Sequence, residues 1–169
     1  IIISRNGSLH NNNTITNNNA VYSYFGYIYN NANKIIINNA TGTIDNPNGT
    51  IVNAGVIQNL GGKINVSGTG GIENYGTIIN DVTGVILNHC ATIDNYNSIT
   101  NRGTITNEST GSFIGTINDY GTINNTGTIT GTGSIYINDK GTLINSGTIT
   151  ATIARIIFFI SLPDFLRKR

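Results

Sequence analysis

One short phrase, Gly-Thr-Ile-x-Asn, returns along most of this chain, and a repeat of that length restricts the fold more than any single residue does. It stands as Gly76-Thr77-Ile78-Ile79-Asn80, Gly103-Thr104-Ile105-Thr106-Asn107 and Gly121-Thr122-Ile123-Asn124-Asn125, with looser copies between. A β-branched residue flanked by Gly and Thr at such short intervals has neither helical propensity nor a 3.6-residue period, so helices are excluded. Taking every third apolar centre gives three columns. The first is Ile44, Ile64, Ile86, Ile105, Ile123 and Leu143; the second is Ile51, Ile72, Ile93, Phe113, Ile129 and Ile149; the third is Ile57, Ile78, Ile99, Ile117 and Ile135. Three short strands per turn of about 20 residues predict an all-β fold, a parallel β-helix or β-solenoid, because each coil hides its apolar face only by stacking on its neighbours. The general preference for right-handed parallel crossovers favours that hand, and about 4.8 Å per coil gives a rod of roughly 35 to 40 Å.

Strand alternation assigns the faces: with Ile inward, Thr before it and the residue after it point out, and the Asn two positions on points in at the strand's end. Asn46, Asn53, Asn59, Asn74, Asn80, Asn88, Asn95, Asn101, Asn107, Asn125 and Asn145 hold that place. An inward amide at a corner bonds both to the turning backbone and to the Asn one coil away, which predicts an asparagine ladder. The Gly that follows is expected to supply a positive φ for the turn.

Composition agrees with a simple repeat. Ile, Asn, Thr and Gly supply 104 of the 169 residues, charged side chains are 10%, and Trp and Met are absent. AT-rich codon bias raises Lys together with Asn, yet Lys is rare, so the asparagines are read as structural. A net charge of +1 without clustered Lys or Arg removes the case for nucleic acid. A single cysteine, Cys90, excludes an internal disulfide, and nothing near it has zinc-ligand spacing; no cofactor or metal site is expected. No apolar run reaches the length of a membrane span. A chain that begins Ile1-Ile2-Ile3 and lacks Met is expected to be a processed product or a fragment.

The Asn-x-Gly-Thr-Ile-x-Asn phrase of residues 42–150 resembles the repeats of right-handed β-solenoid surface proteins, the filamentous-haemagglutinin-type adhesins and autotransporter passengers. The resemblance implies an exported, elongated stalk or fibre at the cell surface, and it transfers no functional residue.

The ends depart from the phrase. Residues 1–41 are expected to form an irregular Asn- and Tyr-rich coil or cap, in which Tyr22 and Tyr24 share one strand face and Tyr27 and Tyr29 another, as a contact patch or a carbohydrate-stacking platform. Residues 151–169 combine an apolar run, including Phe158 and Phe159, with a basic end. They are expected to cover the open strand edge of the last coil, with contact to a neighbouring subunit or a membrane surface as alternatives.

Chemistry is sparse. Glu73 and Asp94 follow column centres and should stack outward on adjacent coils at the separation of a retaining glycosidase pair, but no third acid, Arg or His joins them. His89-Cys90 reads as corner filler. The Thr128/Thr130 and Thr148/Thr150 ranks suggest an ice-binding face, but the predicted columns end that rank at Ser112 and Ile114. Sequons such as Asn48-Gly49-Thr50 are frequent by composition alone. The expectation is a non-enzymatic structural protein, a subunit or fragment of an extracellular fibre that self-associates head to tail. A surface adhesin with a glycan ligand is the alternative, followed by an ice-binding protein and a polysaccharide-active enzyme.

Overall fold

The computed structural model describes residues 1–3 and 5–155, and these residues form a parallel β-solenoid of about 7 turns, with three strands per turn of about 21 residues. The strands lie in three sheets of eight, eight and seven members. One coil shows the plan. Lys63–Ser67 belongs to the first sheet, Gly71–Asn74 to the second and Thr77–Asn80 to the third, and Val85–His89 then returns to lie in register on Lys63–Ser67. Along each strand burial alternates as the phrase demands: Thr77 and Ile79 are half-exposed, whereas Ile78 and Asn80 are buried.

The core is a set of isoleucine columns. Ile64, Ile72 and Ile78 enter from the three sheets of one coil and are 1–2% exposed, and Ile86, Ile93 and Ile99 repeat them in the next. Burying one such side chain contributes about 1.5–3 kcal/mol, whereas an exposed ion pair contributes about 0–1. Two ion pairs among the described residues, His89–Glu108 at 3.0 Å and Arg102–Asp81 at 3.8 Å, are exposed, so the columns outweigh them.

Up to Ile105 the columns are those the spacing predicts; beyond it they are displaced by one place. Ile105 lies beside Ile129, Ile93 beside Ile117 and Ile99 beside Ile123, and these columns end on Ile149, Ile153 and Leu143. Phe113 is the cause. It was expected as a column centre, but it is 70% exposed in a turn closed by reciprocal backbone bonds with Thr110. Apolar spacing alone does not distinguish an inserted turn from a strand.

Regular coiling also begins ahead of residue 42. Within residues 1–41, Ser8–Asn11 pairs with Tyr27–Asn30, and Thr14–Asn17 pairs with the strand Ile35–Asn39. Of residues 151–169, Thr152–Arg155 joins the second sheet beside Ser134–Ile137. Phe158 and Phe159 lie outside the described residues.

Asparagine ladders stand at the corners. After the third sheet, each Nδ2 donates to the Oδ1 one coil on, from Asn17 through Asn38, Asn59, Asn80, Asn101 and Asn125 to Asn145, at 2.7–2.8 Å. After the second sheet the same bonds run from Asn11 through Asn30, Asn53, Asn74 and Asn95 to Asp119. The rungs also donate to backbone carbonyls; Asn80 Nδ2, for example, reaches Thr104 O at 3.1 Å. A carboxylate accepts and cannot donate onward, so Asp119 terminates its ladder, and apolar Ile137 stands at that place in the next coil.

The corner after the first sheet has a broken ladder. Asn88 donates to Asn107 Oδ1 at 2.7 Å, but Val66 occupies the rung between Asn46 and Asn88. Val66 can neither donate nor accept, and Asn46 Nδ2, Asn46 Oδ1 and Asn88 Oδ1 are buried without a partner.

Of the glycines that follow ladder residues, Gly61 after Asn59 has the expected positive φ, 90°, but most do not. Positive φ among the glycines falls at Gly61, Gly68, Gly111 and Gly131, whereas Gly76, Gly121 and Gly127 follow ladder residues without it. A Cβ on Gly76 would strike the carbonyl oxygen of Gly55 in the adjacent coil, one on Gly121 that of Asn97, and one on Gly127 that of Gly103. Close approach of coil to coil selects these glycines. Asn97 takes this place in one coil, and nothing in the structure explains its tolerance there. Left-handed backbone is instead needed at the corner after the first sheet, where Phe25, Asn48, Gly68 and Cys90 adopt φ of 55, 57, 71 and 59°.

Three outcomes test this arrangement. Val66→Asn should rejoin the broken ladder and raise the urea midpoint, because unpaired buried groups cost about 1–3 kcal/mol each; a lowered midpoint contradicts it. Asn80→Leu should destabilise by about 1–3 kcal/mol through the one group it orphans, Asn101 Oδ1, since Asn59 Nδ2 keeps Gly62 O and Val85 O as acceptors, as read by thermal unfolding. Burial pushes the Asp119 carboxyl up, against the hydrogen bonds from Asn95 and the Gly121 N–H that favour its charge. Its contribution to stability is therefore complete below the unfolded carboxyl value, about 3.9, and is lost as pH rises through the raised folded value. Asp119→Asn should stabilise the protein at neutral pH, and that gain should shrink as pH falls toward 4.

Candidate functional surfaces

Outward side chains form rows that run along the rod, one residue per coil. On the second sheet, Val52, Glu73, Asp94 and Asn118 are successive register partners. The acid pair expected from the sequence is thus on adjacent coils, and Asn118 Nδ2 donates to Asp94 Oδ1 at 2.8 Å. Beside the pair is a recess of about 230 Å³, lined by Gly70 and Gly71 and rimmed by Thr50, Thr69 and Thr92. Its lining offers oxygen atoms only as side-chain ligands. Among the described residues, no group of three or more His, Cys, Asp or Glu is placed to hold a metal ion.

Next to this row stands a feature that the sequence reading missed. Tyr75, Tyr96 and Tyr120 each follow a ladder residue, Asn74, Asn95 and Asp119, so the coil repeat lays the three rings one above another. Ring centroids are 4.7 and 5.0 Å apart and the planes differ by 4° and 10°. The Tyr75 hydroxyl donates to Glu73 Oε2 at 3.3 Å. Partial desolvation and then the Glu73 carboxylate push the Tyr75 phenol above its ordinary value; desolvation and then Asp94 do the same to Tyr96. The signal was present as Asn-Tyr twice, but the third copy reads Asp-Tyr and falls beyond the miscounted turn.

The four tyrosines of the expected contact patch divide between two faces. Tyr22 lies on the first sheet and is exposed, and Tyr24 packs edge-on against Phe25, over which Arg5 sits at 5.2 Å. Tyr27 and Tyr29 share the outer face of the second sheet, stacked at 5.5 Å, and His10 stacks on Tyr29 at 4.6 Å.

At the corner after the first sheet, His89 Nδ1 meets Glu108 Oε2 from the next coil at 3.0 Å, so an acid does accompany the histidine. Cys90 beside it occupies one of the left-handed corner positions, and its N–H donates to Glu108 O.

The threonine rank is longer than the sequence columns allowed. Thr104 and Thr106 are register partners of Thr128 and Thr130, and Thr128 is partner of Thr148, so Thr-x-Thr repeats over three coils before Val85 and Leu87 replace it. Ser112 and Ile114 do not belong to that face. Thr130 and Thr150 hydroxyls are 2.8 Å apart.

Among the described residues, no helix is long and apolar enough to cross a membrane. Comparison of the chain with protein-family models, with curated proteins and with solved structures finds no match.

Proposed function

We propose that this chain is a non-enzymatic structural unit that extends by end-to-end stacking into an extracellular fibre. The polarity of the third-sheet ladder carries this reading. Every rung donates in the same direction, so the coil of Asn17 turns Oδ1 outward, where the Asn19 N–H is its neighbour at 3.3 Å. The coil of Asn145 turns Nδ2 the other way, toward Gly147 O at 3.1 Å. An acceptor face meeting a donor face makes head-to-tail contact favourable, while head-to-head contact sets acceptor against acceptor.

The apolar columns support the same reading. Ile3, Leu9 and Ile15 at one end and Leu143 and Ile149 at the other are only partly buried, unlike the inner isoleucines. A second copy would cover them. A surface adhesin that binds glycans is the second reading, favoured by the outward aromatic layer of His10, Tyr27 and the half-buried Tyr29.

Sedimentation and negative-stain microscopy separate the two: fibres of uniform width are expected, with mass that grows with concentration. Asn145→Asp should accept from Asn125 as Asp119 accepts from Asn95, so the coil persists, yet it removes the outward donor and should suppress the fibres. A protein that stays monomeric at all concentrations and is retained on a glycan array would replace the fibre reading with the adhesin.

A further inference from the structure

The Tyr75, Tyr96 and Tyr120 column lies outside everything the fibre reading uses. Its rings are 50%, 42% and 40% exposed, so small oxidants reach them. Their mutual stacking hides the ring faces and leaves edges and hydroxyls toward solvent, an arrangement poor for sugar stacking and well suited to ring-to-ring chemistry.

We propose that Tyr75, Tyr96 and Tyr120 form an oxidative coupling site, at which a peroxide-driven one-electron oxidant joins neighbouring rings as dityrosine and staples successive coils. Each phenol gives up one electron and one proton; two ring radicals then form a carbon–carbon bond between ortho positions, and tautomerisation restores both aromatic rings. Two tyrosines and one hydrogen peroxide thus yield one dityrosine and two waters. Glu73 Oε2, which already accepts the Tyr75 hydroxyl at 3.3 Å, is placed to take the proton released there.

Geometry favours this column over other tyrosines. The rings are near-parallel with centroids 4.7 and 5.0 Å apart, and the aryl torsion is soft, so tilting of the rings rather than movement of the chain can bring ortho carbons of neighbours together. Tyr27 and Tyr29 are the internal comparison, being farther apart at 5.5 Å and on one strand, where coupling would staple no coils.

The test treats dilute full-length protein with hydrogen peroxide and a haem peroxidase, then maps linked peptides of the monomeric fraction by mass spectrometry. Peptides joined through Tyr96 to Tyr75 or Tyr120, lighter by two hydrogens, are the expected product. Tyr96→Phe leaves Tyr75 and Tyr120 two coils, about 10 Å, apart, and should abolish the linkage while circular dichroism and the thermal midpoint stay unchanged. The double variant Tyr75→Phe with Tyr120→Phe keeps the central tyrosine and should abolish it as well. Linkage that persists in either variant, forms only between copies, or joins mainly other tyrosines overturns the assignment.

Discussion

Translation by one strand spacing governs this molecule. Each coil must place the same kind of group above its predecessor, because a backbone ladder of parallel strands leaves about 4.8 Å for every side chain to meet its counterpart. Isoleucine satisfies that demand inside by dispersion and by exclusion of water. Asparagine satisfies it at the corners because its amide both donates and accepts along one line, so an unbroken column leaves no internal orphan. Where a residue lacks one of those abilities the column stops: Asp119 ends a ladder as an acceptor through Oδ1, with Oδ2 buried and unpaired, and Val66 interrupts one and leaves Asn46 Nδ2 and Asn88 Oδ1 without partners.

The same constraint builds the surface. A side chain repeated at the interval of a coil becomes a row, whether acidic as with Glu73 and Asp94, hydroxylic as with Thr104, Thr128 and Thr148, or aromatic as with Tyr75, Tyr96 and Tyr120. The rows are side by side, and the tyrosine column lies against the acid row through the Tyr75–Glu73 bond. A solenoid of this kind presents its chemistry as lines along the rod, and its two ends differ in hydrogen-bonding sense.

Much of this was legible in the sequence because the phrase Gly-Thr-Ile-x-Asn encodes face, strand and corner at once. Ile64 over Ile44 and Asn80 beside Asn101 follow from counting alone. Counting failed where the coil carries an insertion: Phe113 has the apolar character of a column residue but sits in a turn, and one wrong member moves every later column. That shift hid both the third coil of the threonine rank and Tyr120 above Tyr96. Before residue 42 the phrase is looser: Thr14-Ile15-Thr16-Asn17 keeps it and Ile28 and Ile36 hold inward column places, but Leu9 and Val21 replace the isoleucine and Ser8, Ala20, Tyr27 and Ile35 replace the threonine in other strands. The glycine argument relied on turn conformation, whereas close contact between coils is visible only once neighbours in space are known.

The most direct test of in-register stacking is a set of through-space nuclear magnetic resonance contacts across the inserted turn. Methyl groups of Ile105 should show contacts with those of Ile86 and Ile129, and side-chain amides of Asn80 with those of Asn59 and Asn101. Contacts from Ile105 to Ile123 in place of Ile129, or antiparallel backbone contacts between these strands, would contradict the stacked coil.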